Sequence, residues 1–122
     1  MTTFGLDETS SDEPPSIARD QIEAGQPILD VREDHEWVAG HIEGAVHVPL
    51  DRLPNRMLHE PGELLSDQPL VVTCKGGGRA RRAVSWLNRN GFDAVVLAEG
   101  MRGWHAAGWP MTSETGEEPT LA

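Results

Sequence analysis

The sequence has a single cysteine, Cys74. An internal disulfide and a zinc centre built on several thiolates are thereby excluded. Long apolar runs are missing too. The longest, residues 94–98, has five residues, against the roughly 20 needed to cross a bilayer, so no membrane span is expected. No basic segment followed by an apolar one stands at the start, and no secretory leader is visible. With the lone thiol, this points to a reducing, cytoplasmic setting. Bases are scarce: 10 lysines and arginines stand against 20 carboxylates, a net charge of -10. That balance argues against nucleic acid as a partner. His35, His47, His59 and His105 show no ligand spacing, so no metal is expected. The phosphate-binding patterns G-x-x-x-x-G-K-[ST] and G-x-G-x-x-G are both absent, and there is no internal repeat.

What remains is the composition of one soluble domain: 122 residues, 38% hydrophobic, 25% charged, mean hydropathy -0.42. That length fits a single core. The charge is uneven. Residues 1–16 carry Asp7, Glu8, Asp12 and Glu13 and no base, and residues 112–122 carry Glu114, Glu117 and Glu118 and no base. Both ends are rich in Thr, Ser, Glu, Pro and Gly. They have too little apolar surface to offset the entropy of ordering. The expected organisation is a domain over residues 16–111 between mobile acidic tails, 1–15 and 112–122.

Within the domain, residues 16–24 read as a helix ended by Gly25. Residues 27–31 read as a short buried strand, 33–38 as a short helix, and 45–48 as a strand ended by Pro49. A short helix over 51–58 and a loose turn over 61–67 follow. Leu70, Val71, Val72 and Thr73 form a β-branched run suited to a strand buried on both faces. Ala80, Ala83, Val84 and Leu87 then recur at helical spacing, with Gly91 as a stop. Residues 94–97 are a further strand, and 101–107 a last helix ended by Gly108 and Pro110. Strands alternating with helices predict an α/β fold, an open parallel sheet covered on both faces.

One stretch reverses the acidic balance. Lys75, Arg79, Arg81, Arg82 and Arg89 follow Cys74 with no carboxylate among them. The loop Cys74-Lys75-Gly76-Gly77-Gly78-Arg79 joins a buried strand to a helix, at the strand end where open α/β sheets bind ligands. Three glycines let the loop curl with its N–H groups inward. The helix start adds free N–H groups and the positive end of its dipole. The nearest candidate anion for this cradle is the Cys74 sulfur. Amides, dipole and the cations Lys75 and Arg79 all favour the thiolate, the nucleophilic form. Arg79, Arg81 and Arg82 oppose the dipole of their own helix, which makes sense where an anion sits. A buried core cysteine, a phosphate cradle and simply solvated arginines are the plainer readings of the same residues.

Four segments, in order, resemble the rhodanese-like sulfurtransferase domain. They are Leu29-Asp30-Val31-Arg32-Glu33 with Glu36-Trp37, Gly40-His41-Ile42-Glu43-Gly44-Ala45, the C-x-x-G-x-R loop from Cys74 to Arg79, and Glu99-Gly100-Met101-Arg102-Gly103-Trp104 with Gly108-Trp109-Pro110. Glu99 stands where the family usually has glycine, and Ala80 where serine is common. The resemblance implies a rhodanese-like open parallel sheet of about five strands with helices on both faces. It also implies sulfur transfer without a cofactor. Cys74 would take the outer sulfur of a donor such as thiosulfate as a persulfide. A thiol or cyanide acceptor, or a partner protein, would then remove it.

Lys75, Gly76, Gly77, Gly78 and Arg79 would bind substrate, with the amides of Lys75 to Arg79 around the persulfide anion. Asp30 and Arg32, on one side of their strand, are expected to form an orienting ion pair near the loop. His41 is expected to support it by hydrogen-bonding backbone, and Trp104 and Trp109 to pack in the core and rim. With no second cysteine, sulfur must leave to an external acceptor. Two other functions compete. A dual-specificity phosphatase would need C-x-x-x-x-x-R, but the sixth position after Cys74 is Ala80. A non-catalytic or sulfur-carrier module of the same fold would also keep the loop.

Overall fold

The computed structural model describes residues 13–122; most of the expected N-terminal tail, residues 1–12, lies outside them. The elements run β1 (Ser16–Ile17), β2 (Ile28–Asp30), α1 (Asp34–Ala39), β3 (Val46–His47), α2 (Leu53–His59), β4 (Leu70–Thr73), α3 (Gly78–Arg89), β5 (Ala94–Leu97) and α4 (Gly100–Ala106). The five strands form one sheet in the order β1-β5-β4-β2-β3. Every pairing is parallel, so all strands point their carboxyl ends at one edge. None of the described helices is long and apolar enough to cross a membrane.

Alternation along the strands sorts the core into two faces. Leu29, Val31, Leu70, Val72, Ala94 and Val96 point to one face, where Ala80, Ala83, Val84 and Leu87 of α3 and Leu53 and Met57 of α2 cover them. Val71 and Leu97 point to the other, under Met101 and Trp104 of α4, with Ile17, Ile22, Ile28, Val95 and Trp109 around them. β4 is buried along its whole length, as its apolar run predicts.

Two expectations are corrected. Residues 16–24 are not a helix: Ser16 and Ile17 lie extended against β5, and only Arg19–Gln21 makes a single 3-10 turn. The N–H groups of Val96 and Ala98 donate to Pro15 O and Ile17 O at 2.8 and 2.9 Å. Otherwise β5 would be an open sheet edge with unpaired amides. Residues 112–122, expected as a mobile tail, fold back as a strap. His41 and Thr112 exchange two backbone hydrogen bonds of 2.8 Å, Glu114 N–H donates to Val38 O (3.0 Å), and Thr120 N–H to Ala39 O (2.9 Å). Met111 and Leu121 pack on the second face of the core. Main-chain pairing and two apolar anchors hold a segment whose composition reads as disordered.

Candidate functional site

Cys74 follows the last residue of β4, the central strand, at the carboxyl edge of the sheet. Its side chain is buried, only 1% exposed, and touches the apolar layer under α3. Burial alone would make it a core cysteine, but the sulfur has polar partners. Gly77 N–H donates to Sγ at 3.0 Å and Ala80 N–H at 3.3 Å. Both amides belong to the start of α3, so the positive end of the helix dipole faces the sulfur. The ring of amides is smaller than the sequence suggests. Lys75, Gly76, Gly78 and Arg79 contribute no N–H bond to Sγ, and Ala80, one residue beyond the expected span, does.

Local chemistry explains the curl. Gly77 caps α3 in the left-handed region at φ 110°, which is strained for any residue with a Cβ. The loop is held from behind by α4. Met101 N–H donates to Cys74 O (2.8 Å) and Arg102 N–H to Lys75 O (3.0 Å). Gly100, at φ +64°, passes so close that a Cβ there would stand 2.9 Å from Lys75 O.

Arg79 is placed differently from expectation. Its guanidinium is not turned to a ligand but forks onto Glu36, with Nη1 to Oε1 2.7 Å and Nη2 to Oε2 3.1 Å. Glu36 is buried, and its Oε1 also accepts Glu33 N–H at 2.8 Å. The hydrogen bonds from Arg79 pull the Glu36 carboxyl down from its ordinary 4.5 to about 2, against the opposing effect of burial. The same pairing raises Arg79. Glu36 thus ties α1 to the start of α3 beside the sulfur. In the sequence Glu36 stands out only as part of a motif, because its partner lies 43 residues away.

Asp30 and Arg32 form the expected pair: Arg32 Nε and Nη2 donate to Asp30 at 3.0 and 2.8 Å, both residues fully buried. Asp30 stands in register with Thr73, the residue before Cys74. Arg32 Nη2 also donates to Gly40 O at 2.8 Å, so the pair fixes the 40–45 turn rather than touching the loop. Arg32 Nη1 is buried without a partner among the described residues. His41 does not reach the loop. Its Nδ1 lies 2.8 Å from Trp37 O and its Nε2 3.3 Å from Glu114, and its ring stacks on Trp37. Trp104 donates to Pro110 O and meets Trp109 edge-on; both pack away from the sulfur. Lys75 is half-buried and Gly76 exposed at the crest of the loop.

A family model, the rhodanese-like domain, matches residues 14–107. Among curated proteins the chain is 34% identical over 87 residues to the thiosulfate sulfurtransferase GlpE of Stutzerimonas stutzeri, covering 71% of this chain and 76% of that one. It is 36% identical over 78 residues to the putative sulfur carrier protein YrkF of Bacillus subtilis, covering 63% of this chain and 40% of the relative. It also matches a tRNA uridine(34) hydroxylase of Salmonella arizonae, 35% identical, across only 21% of that protein. The chain therefore spans less than half of the last two relatives. Among solved structures, the rhodanese-like domain of the Anabaena Alr3790 protein superposes with a TM-score of 0.70 at 27% identity, covering 88% of this chain and 86% of that one. A rhodanese-related protein of Thermoplasma volcanium gives 0.69 at 26% identity, covering 80% and 97%.

Proposed function

The chain belongs to the rhodanese-like domain family, and from that premise we propose that it is a sulfurtransferase carrying sulfane sulfur on Cys74 as a persulfide. The observation that carries this reading is the Cys74 sulfur facing two main-chain N–H groups, 3.0 and 3.3 Å away. Donors fixed in place before reaction stabilise an anion without reorganising. They stand ready to receive the persulfide anion once it forms.

With thiosulfate as donor, the thiolate attacks the outer sulfur. A new S–S bond forms on Cys74, the old S–S bond breaks, and its electron pair leaves on sulfite. A thiolate or cyanide then attacks the terminal sulfur of the persulfide and returns the Cys74 thiolate. Both steps balance without a metal or redox cofactor. Since Cys74 is the only cysteine, the acceptor is external. A free thiol in this role suits a reducing compartment, and we place the protein in the cytoplasm on that ground.

The test is intact mass after incubation with thiosulfate. The wild type gains one sulfur atom and Cys74→Ser gains none. No gain with any sulfane donor would sink the reading. A second reading is a persulfide carrier, favoured by the similarity to a protein named as a putative sulfur carrier. Turnover separates the two: an enzyme releases many equivalents of sulfite per Cys74 with a small acceptor, whereas a carrier loads once and waits for its partner.

A further inference from the structure

With Arg79 held by Glu36, the anionic donor needs another cation, and Arg102 stands at the rim of the loop. The third residue of α4, it is pinned there by its own backbone, whose N–H donates to Lys75 O at 3.0 Å. Its guanidinium lies beside Gly76. A Cβ on Gly76 would stand 3.5 Å from Nη1, 3.8 Å from Cζ and 3.9 Å from Nη2. Gly76 is exposed, two residues after Cys74.

The Arg102 side chain is exposed and, among the described residues, takes part in no ion pair. The nearest carboxylate in sequence, Glu99 at the N-cap of α4, is engaged elsewhere, accepting Arg19 N–H at 3.1 and 3.2 Å.

We propose, on the sulfurtransferase reading of Cys74, that Arg102 is a specificity-determining residue that receives the anionic end of the sulfur donor over the Gly76 crest. A thiolate and a dianionic donor repel each other, and a cation at the point of encounter offsets that repulsion. An unpaired guanidinium can fork onto two oxygens of a sulfonate-like group. Arg79 would first have to break two short hydrogen bonds to Glu36. Lys75 supplies charge but not the planar fork. A Cβ at Gly76 would only just touch the guanidinium, so the bare glycine leaves a small open gap between the loop and Arg102 that a ligand oxygen could enter.

The experiment compares alkylation of Cys74 in the full chain by iodoacetate, an anion, and iodoacetamide, its neutral counterpart. Arg102→Ala should lower the iodoacetate-to-iodoacetamide rate ratio roughly tenfold, the order expected of one charge-assisted contact at a partly wet site. Arg102→Lys should fall between, and Arg89→Ala, which removes a cation at the far end of α3, should leave the ratio unchanged. In parallel, KM for thiosulfate in persulfide formation should rise about tenfold in Arg102→Ala while KM for the acceptor stays put. An unchanged ratio, or both reagents slowing together, overturns the assignment, because a structural role would affect both alike. The alkylation ratio does not depend on sulfur transfer. Its failure therefore counts against Arg102 alone, and a failure to form persulfide counts against the sulfurtransferase reading alone.

Discussion

Replacing Glu36 by glutamine isolates the tie between α1 and α3. The shape and one acceptor remain, while the charge facing Arg79 is lost. A carboxyl held near 2 rather than 4.5 is favoured in its charged form by about 3 kcal/mol, at 1.36 kcal/mol per unit. Glutamine keeps part of the hydrogen bonding, and the partly exposed Arg79 can be rehydrated. The expected loss at pH 7 is therefore about 2 kcal/mol, or roughly 8 °C in Tm for a domain of this size.

The pH dependence has a definite sign. A carboxyl whose value is lowered on folding stabilises fully above its unfolded value and loses that contribution as pH falls toward the folded one. Between pH 7 and pH 3 the wild type should lose about 2 kcal/mol from Glu36 alone, which Glu36→Gln does not have to lose. Urea unfolding of both proteins at a series of pH values measures the gap. A gap of the same size at pH 3 and pH 7, or none at pH 7, would refute the ion-pair argument.

Other outcomes follow from the backbone around the loop. Gly100→Ala puts a Cβ 2.9 Å from Lys75 O and 3.3 Å from Cys74 O, at a φ that resists a side chain. It should cost about 2–4 kcal/mol and slow persulfide formation; wild-type Tm and rate would contradict the close packing of α4 on the loop. Ending the chain after Pro110 removes the strap and its anchors Met111 and Leu121. The urea midpoint should fall by the equivalent of about 2–3 kcal/mol, and an unchanged midpoint would mean that the segment contributes nothing to the fold.

The parts of this structure that sequence reveals are those where one residue run decides its own environment. Leu70 to Thr73 can only be a buried strand, and Ala80, Ala83, Val84 and Leu87 can only line a buried helix face. The Cys74 loop likewise carries its own evidence in glycines and cations. The parts that sequence hides depend on distant partners. Ser16 and Ile17 become a strand because β5 has a free edge some 80 residues away. Arg79 reads as an open cation because Glu36, which neutralises it, lies 43 residues upstream. The strap after Pro110 is held largely by main-chain groups that every residue type but proline possesses, with only two apolar anchors, so composition hardly registers it. In the sequence Arg102 is only one letter of a motif; its position beside Gly76 follows from α4 anchoring on the loop.

The anchoring of Cys74 O and Lys75 O by the first amides of α4 also bears on engineering. Residues 74–78 and 99–103 form one joint made from two distant stretches of chain. A loop borrowed from a relative should seat only when its partner stretch is transplanted with it. Homologues should therefore vary at these two stretches in concert rather than singly.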